Sequence, residues 1–439
     1  MREAQRLALR GADEAAKTAY IKALHLDPTH FTALNDLAAL LCASGHLTAA
    51  RRAYQQALAH HPQNPVAPTN LGNLLYQDGD EAGAERLFRK ALAADPEFYG
   101  AHQGLARILS ERGEDAETHW RKGFDGHSLA ARRFRGEGPG IPLLLLVSVK
   151  LGNVATQRWI DDRIFAVTEL YVAFHDLSQE LPPFRFVVNA IGDADLCAEE
   201  LLRAEAFCAR QKVPVINPPS RVLRTGRAEN ARRMAWIPGL VAPVVTLLAR
   251  EEIAAADFKF PLLLRSPGHH TGRHFLRVDS AEALPAALAA LPGEKLLAMD
   301  HLDARGADGY FRKYRALLVG GELFPLHLAV SAGWMVHYFS AAMEENAEFR
   351  EEERRFLENM RDVLGDQAIK ALKAIGEVMG LDYAGIDFGL ARDGSVLLFE
   401  ANATMNVFPP APDPKWDYRR PAIEKALAAA RGLVFHASR

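Results

Sequence analysis

Cysteine is scarce: Cys42, Cys197 and Cys208 are the three in 439 residues, and none is spaced as a CxxC pair. That excludes a disulfide framework and a cysteine-based zinc site, and the thiols read as reduced core residues of a cytoplasmic protein. Excess charge of either sign is also missing. With 52 Lys and Arg against 55 Asp and Glu the net charge is −3, which leaves no basic field for nucleic acid. Long apolar runs are absent. The longest, IPLLLLVSV from Ile141, is too short to span a bilayer, and the N-terminus carries charges where a signal peptide needs an apolar centre. A chain of this length that is 49% hydrophobic has ample material for several cores.

What the N-terminal part does have is an internal period. Gly11, Gly45, Gly79 and Gly113 recur every 34 residues, and Pro28, Pro62 and Pro96 keep the same phase. So do Ala16/Ala50/Ala84, Tyr20/Tyr54/Phe88, Ala23/Ala57/Ala91 and Leu37/Leu71/Leu105. Small alanines let paired helices approach, the aromatic fills the space between repeats, glycine permits the turn and proline ends the second helix. The period resembles that of tetratricopeptide repeats. Phe31 to Asn64 and Pro65 to Phe98 read as complete units, the residues before Phe31 supply at least a second helix, and the unit from Tyr99 is degenerate. Such a stack presents a concave surface suited to a peptide or protein, with self-association or a purely structural role as the alternative.

A linker is expected over 125–140, where RRFRGEGPG concentrates glycine, proline and arginine. Strands are then predicted over 142–150, 186–191 and 213–217, with a helix over 198–211, which is the alternation of an α/β layer. Gly192 and Asp193 fall at a strand end where ligands approach, making Asn189 and Asp193 site candidates.

Near the C-terminus, GIDFGLARDGSVLLFEAN reads as a β-hairpin: Ile386 to Leu390 and Val396 to Glu400 flank the turn residues Arg392, Asp393 and Gly394. Glu400 and Asn402 share a strand face, and the partner strand can bring Asp387 alongside. Two carboxylates and an amide carbonyl are hard oxygen donors of the kind Mg2+ takes together with phosphates. A carboxylate directly after Val-Leu-Leu-Phe is costly without a partner.

This Asp, then Glu, then Asn pattern, with the preceding GLDYAGIDF, resembles the end of the ATP-grasp superfamily, as in the D-alanine:D-alanine ligases and the ribosomal-protein glutamate ligases. Upstream, Phe260 to Arg265 and then Ser266, Pro267, Gly268, His269, His270, Thr271 and Gly272 look like the strand and small-residue loop that cover ATP phosphates in that family. Backbone N–H groups of such a loop approach phosphate oxygens closely, and the resemblance makes Arg265 the adjacent cation. The family has lysine there and a second lysine earlier; here the counterparts are Arg265 and Arg227, and arginine differs from lysine in reach and geometry. Leu296 to Leu302 resembles the adenine-binding segment, implying contacts from Met299, Asp300, His301 and Leu302. In the strand over 310–322, Lys313 and Arg315 share a face, and Arg315 is similar to the family arginine that approaches the acyl phosphate, with Lys313 as its companion. His327, Trp334 and His337 are candidate substrate contacts or pocket wall. MEENAEFREEERRFLENM reads as an amphipathic helix with a solvated face and no implied partner.

The expected architecture is a multidomain chain: an all-α tetratricopeptide-repeat stack (1–124), a linker (125–140), an α/β domain (141–220), an α+β ATP-grasp fold (221–410) and a closing helical segment (411–439). The resemblance implies an ATP-dependent carboxylate-amine ligase, using ATP and Mg2+ (two ions, with Mn2+ an alternative) to activate a carboxylate substrate as an acyl phosphate. The acid or amine is then on a peptide or protein held by the repeats, or on a small molecule. Alternatives are a nucleotide-sensing adaptor that has lost catalysis, and a phosphotransferase. No nucleic-acid or membrane partner is expected.

Overall fold

A computed structural model describes residues 1–176, 179–267, 272–336 and 342–439. The chain divides into two compact units, one of Met1–Leu151 with Asp162–Phe184, the other of Gly152–Asp161 with Arg185–Arg439.

The first unit begins with eight helices: α1 (Arg2–Leu9), α2 (Asp13–Leu26), α3 (Phe31–Ala43), α4 (Leu47–His60), α5 (Val66–Gln77), α6 (Glu81–Ala94), α7 (Tyr99–Arg112) and α8 (Glu117–Phe124). They pair as the 34-residue period predicts, and the first pair is complete because α1 precedes α2. The glycine between the helices of each pair has positive φ, at 72°, 80°, 85° and 75° for Gly11, Gly45, Gly79 and Gly113. Only glycine adopts that conformation without strain, which is why the turn residue repeats. The phased alanines Ala16, Ala50 and Ala84 and the aromatics Tyr20, Tyr54 and Phe88 are all buried. After the helices, β1 (Leu129–Ala131), β2 (Ile141–Val147) and β3 (Phe165–Tyr171) follow. β3 pairs antiparallel with β1 and parallel with β2. β1 falls inside the predicted linker: the glycine-rich composition marks only its second half, from Arg132. Phe124 packs on Tyr171 at 4.5 Å between ring centres, joining the last helix to β3.

The second unit contains β4 (Phe186–Asn189), α9 (Ala198–Cys208), β5 (Val215–Ile216), α10 (Pro219–Val222), α11 (Arg227–Met234), β6 (Leu240–Val241), β7 (Val245–Ala249), α12 (Arg250–Ala255), β8 (Leu262–Arg265), β9 (Phe275–Val278), α13 (Leu284–Ala290), β10 (Lys295–Asp300), β11 (Phe311–Val319), β12 (Glu322–Ser331), α14 (Ala347–Glu358), α15 (Met360–Met379), β13 (Tyr383–Leu390), β14 (Val396–Asn402) and α16 (Arg420–Ala437). β4 and β5 are parallel. β7, β10, β8 and β9 form an antiparallel four-stranded sheet whose core holds Ile253, Leu264, Val278 and Leu296. The third sheet runs β12-β11-β13-β14-β6.

The predicted C-terminal hairpin is β13 and β14, in antiparallel register with Asp387 opposite Glu400 and Gly385 opposite Asn402. The register shifts after Asp387, where Phe388 faces Leu398, so Phe399 bulges out of the ladder. Asn217 fastens β5 to β13, its side-chain oxygen accepting from the amides of Asp382 and Tyr383 at 2.9 Å each.

The charge-rich stretch over 343–360 forms α14, with Phe349, Phe356 and Leu357 buried as its spacing predicts. Its face is not wholly solvated, however. Glu353 is fully buried and its Oε2 accepts from Arg419 Nε and Nη2 at 3.0 and 2.6 Å. The carboxylate can be buried because this partner neutralises it, and the partner lies 66 residues further along the chain.

Candidate functional site

Asp387 and Glu400 face one another because the ladder places them in register, and each is met by cations from a different element. Arg315, on β11 opposite Asp387, donates Nε to Oδ1 at 2.6 Å and Nη2 to Oδ2 at 2.7 Å. Lys313, two residues earlier on the same strand face, lies 3.3 Å from Oδ2. Asp387 is only 4% exposed. Burial alone would raise its carboxyl; the charges of Arg315 and Lys313 outweigh that and hold it well below the usual carboxylate range. His327, on β12 opposite Arg315, is buried, and that burial together with the neighbouring Arg315 charge keeps its ring neutral.

Glu400 is met by Arg227, the first residue of α11, whose Nη2 donates to Oε1 at 2.7 Å. The same guanidinium reaches Asp195 Oδ2 through Nη1 at 3.1 Å, and the Arg227 backbone N–H donates to that oxygen at 3.1 Å. Asp195 therefore opens α11 and anchors its first side chain. Burial would lower the Arg227 pKa; Glu400, Asp193 and Asp195 together raise it. Arg265, at the end of β8, shifts the other way, lowered by burial and then by the charge of Arg227. It also lies over the Phe275 ring, 5.4 Å from its centre.

Arg227, Asp195 and Glu400 line a cleft with about 40 Å³ of water-accessible space, and Asp387, Arg315, Lys313 and Arg265 stand outside its lining. One part of its wall is charged and polar: Asp193, Asp195, Arg227, Asn230, Glu400 and Asn402. Another is apolar, from Pro243, Val245, Met299, Leu398 and the bulged Phe399. Asn230 is 3% exposed and gives Nδ2 to the Ala401 carbonyl at 2.6 Å, while its Oδ1 has no hydrogen-bond partner among the described residues. A buried amide oxygen left unsatisfied beside a cleft is a ready acceptor for a bound donor.

The residues proposed for Mg2+ are thus brought together, but their oxygens are already engaged. Asn402 Oδ1 accepts from the Thr404 amide and hydroxyl at 3.0 and 2.9 Å. Among the described residues, no group of three or more His, Cys, Asp or Glu could hold a metal ion. Two carboxylates and an amide oxygen fit Mg2+ only with further oxygen ligands, which phosphates supply.

Other sequence candidates divide. Ser266 is 2% exposed and its hydroxyl donates to the Pro292 carbonyl at 2.7 Å. Asp300 Oδ2 accepts from the Val244 amide at 2.9 Å, pinning β10 to the residue before β7. Met299 lines the cleft. His301 and Leu302 follow β10, and His301 meets the edge of Trp334, which also meets Phe275, forming an aromatic wall. Gly272 adopts φ 78°. Gly268, His269, His270, Thr271 and His337 lie outside the described residues. Asn189 is spent on structure, with Oδ1 accepting from the Ile191 amide at 3.1 Å and Nδ2 donating to the Asn217 carbonyl at 3.0 Å. Asp193 Oδ1 accepts from the amides of Asp195 and Leu196 at 2.9 Å, shaping the turn before α9. The sequence reading missed Asp195 and Asn230. Asp195 stands in the GDAD that follows a strand and was within reach of the strand-end argument; Asn230 carried no signal of its own.

A model described as tetratricopeptide repeat matches residues 6–65, 37–97 and 69–117, so the helical stack is built of these repeats. No curated protein matches the sequence. Among solved structures, residues 41 to the end of MamA from Desulfovibrio magneticus RS-1 are 26% identical, with a TM-score of 0.26, over 28% of this chain and 70% of that one. The VanG D-Ala:D-Ser ligase from Enterococcus faecalis is 12% identical, with a TM-score of 0.43, over 69% of this chain and 100% of that one. Likeness at these scores assigns no activity to this chain. Among the described residues no helix is long and apolar enough to cross a membrane.

Proposed function

We propose that the cleft of the second unit binds a magnesium nucleotide and that the chain is an ATP-dependent ligase of the ATP-grasp type, joining an activated carboxylate to an amine or other nucleophile. The observation that carries this reading is the convergence of Arg227, Arg315 and Lys313 on Asp387 and Glu400, beside a cleft with one charged and one apolar wall. A nucleotide has that same division between polyphosphate and base.

In this reading Arg227 and Arg265 hold phosphate oxygens, and Arg315 with Lys313 offsets the charge that develops during transfer. A carboxylate oxygen of the substrate attacks the γ-phosphorus and ADP leaves; the nucleophile then attacks the acyl carbon and inorganic phosphate leaves. Asp387, Glu400 and Asn402 would hold Mg2+, which supplies charge neutralisation at the phosphates. Met299, Val245 and Phe399 offer the base an apolar wall. The tetratricopeptide stack supplies a surface for a peptide or protein bearing the acid or the amine, and the cytoplasm is the compartment that offers ATP and reduced thiols.

A second reading, a nucleotide-sensing adaptor, is favoured by one observation: both carboxylates are already neutralised by arginines. Calorimetric titration with a non-hydrolysable ATP analogue and Mg2+, on the unaltered protein and on Glu400→Ala, tests the proposal. Binding by the unaltered protein that the variant loses is the expected result, followed by nucleotide-dependent phosphate release when acid and amine are supplied. Binding without turnover across acids and amines favours the adaptor; no binding by the unaltered protein refutes both.

A further inference from the structure

We infer that Arg227 and the Arg315–Lys313 pair are resident counter-cations that keep divalent metal away from Glu400 and Asp387 until a polyphosphate draws them off, so that metal enters this cleft only with nucleotide. The inference rests on the nucleotide reading above and adds to it an order of binding.

The geometry for it is specific. Both oxygens of Asp387 are taken by the fork of one guanidinium, at 2.6 and 2.7 Å, with the Lys313 ammonium at 3.3 Å. Glu400 Oε1 is taken by Arg227 at 2.7 Å. The side chains of Arg315, Lys313 and Arg227 are only 22%, 16% and 14% exposed. A metal ion arriving alone would have to displace these cations and leave them in a poorly solvated place without a counter-charge, which is unfavourable.

The local charge points the same way. Among the described residues Asp193, Asp195, Asp387 and Glu400 oppose Arg227, Arg265, Arg315 and Lys313, so these eight side chains balance in charge. Adding a divalent cation alone makes the set positive. A polyphosphate reverses this balance, since it offers each guanidinium a second bidentate partner and brings oxygen ligands for the metal. Arg227 is built for such an exchange: its Nη1 and backbone N–H stay with Asp195 while its Nη2 reaches Glu400. Release of Glu400 therefore turns the guanidinium about an anchored end, and Asp195 is the positioning residue.

The test uses the full chain and Mn2+ as the probe, with free Mn2+ read by electron paramagnetic resonance and AMPPNP binding measured in parallel. With the Mn2+ held by AMPPNP alone subtracted from a protein-free control, the expected result for the unaltered protein is at least 100-fold tighter Mn2+ binding with AMPPNP than without it. Arg227→Met is expected to bind Mn2+ without nucleotide, and Arg227→Met with Glu400→Gln to lose that binding again. Arg227→Lys keeps the charge at Glu400 but loses the bridge to Asp195, and is expected to fall between. Mn2+ bound equally well with and without AMPPNP by the unaltered protein overturns the inference while leaving the nucleotide reading standing. Failure of Arg227→Met to gain nucleotide-independent binding also overturns it. Absence of AMPPNP binding by the unaltered protein overturns the nucleotide reading and the inference with it, and the parallel measurement separates that failure from the others.

Discussion

The buried pair of Glu353 and Arg419 offers the sharpest stability test in the molecule. Their side chains are 0% and 5% exposed. Glu353 Oε2 accepts twice from Arg419 and also from the Tyr418 hydroxyl, while Oε1 accepts from the Leu328 amide at 3.3 Å. Arg419 lies 4.0 Å from the centre of the Trp416 ring. Removing one partner leaves the other charge buried, so Arg419→Met and Glu353→Met are each expected to cost about 3–5 kcal/mol. Arg419→Met also gives up the stacking on Trp416, worth about 0.5–2 kcal/mol. The double variant removes both charges. It still strands the Tyr418 hydroxyl and the Leu328 amide, at about 1–3 kcal/mol each, so it is expected to be no worse than the worse single variant.

Backbone hydrogen exchange of α14 in the full chain measures this locally, without treating the two units as one transition. A loss of about 3–5 kcal/mol corresponds to protection falling by about 140- to 4,000-fold at 1.4 kcal/mol per decade. Burial raises the Glu353 pKa, and Arg419 only partly offsets it. For an acid raised in the folded state, stability is highest at low pH and falls as pH rises from the unfolded value of about 4.3 through the folded one. Without Arg419 that penalty grows, so Arg419→Met is expected to recover protection near pH 4.5 relative to pH 7. Additive single effects, or unchanged protection in Arg419→Met, would refute the reasoning.

Gly104 tests the repeat packing: a Cβ there would stand 2.6 Å from ring atoms of Phe88, which is 1% exposed. Gly104→Ala gains about 1 kcal/mol of helix propensity but is expected to lose more to overpacking, at about 1–3 kcal/mol. Phe88→Ala should cost about 3–5 kcal/mol and make Gly104→Ala neutral or stabilising in its background, as read from thermal loss of helical circular dichroism. At the cleft, the low folded pKa of Asp387 gives stability that is present above the unfolded value of about 3.9 and lost as pH falls below it. Asp387→Asn should therefore flatten the acid limb of a urea-midpoint profile between pH 6 and pH 3; an unchanged limb would show that its pairing with Arg315 contributes nothing.

What was legible in the sequence was whatever repeats or alternates locally. Gly11, Gly45, Gly79 and Gly113 each answer to a turn a few residues long, so their period marks four helix pairs. Ile386 to Leu390 and Val396 to Glu400 flank a short turn, so their hairpin and its shared face of Asp387, Glu400 and Asn402 could be read directly. The pairings that give these residues their character were not legible. Arg227 meets Glu400 across 173 residues and Arg315 meets Asp387 across 72. Glu353 looked like one more solvated acid because its helix is rich in charge, and only a residue far along the chain explains its burial. The bulge at Phe399 was hidden for a different reason: alternation predicts a regular ladder, and one extra residue changes which side chains line the cleft.

The two arginines that stand where the resembled family has lysine find a physical explanation here. Arg227 holds Asp195 with one Nη atom and Glu400 with the other, at 3.1 and 2.7 Å. An ammonium is a single point on a flexible stem and cannot keep such a rigid two-ended bridge, whereas the planar fork does so with its charge fixed. Arg265 lies over Phe275, a contact that a delocalised guanidinium makes well. The substitutions therefore do not by themselves mean that the cleft has lost its phosphate ligands. On the nucleotide reading proposed above, Arg227 is shared between Asp195 and Glu400, so that binding an anion there is an exchange of partners whose strength depends on how readily Glu400 releases Arg227.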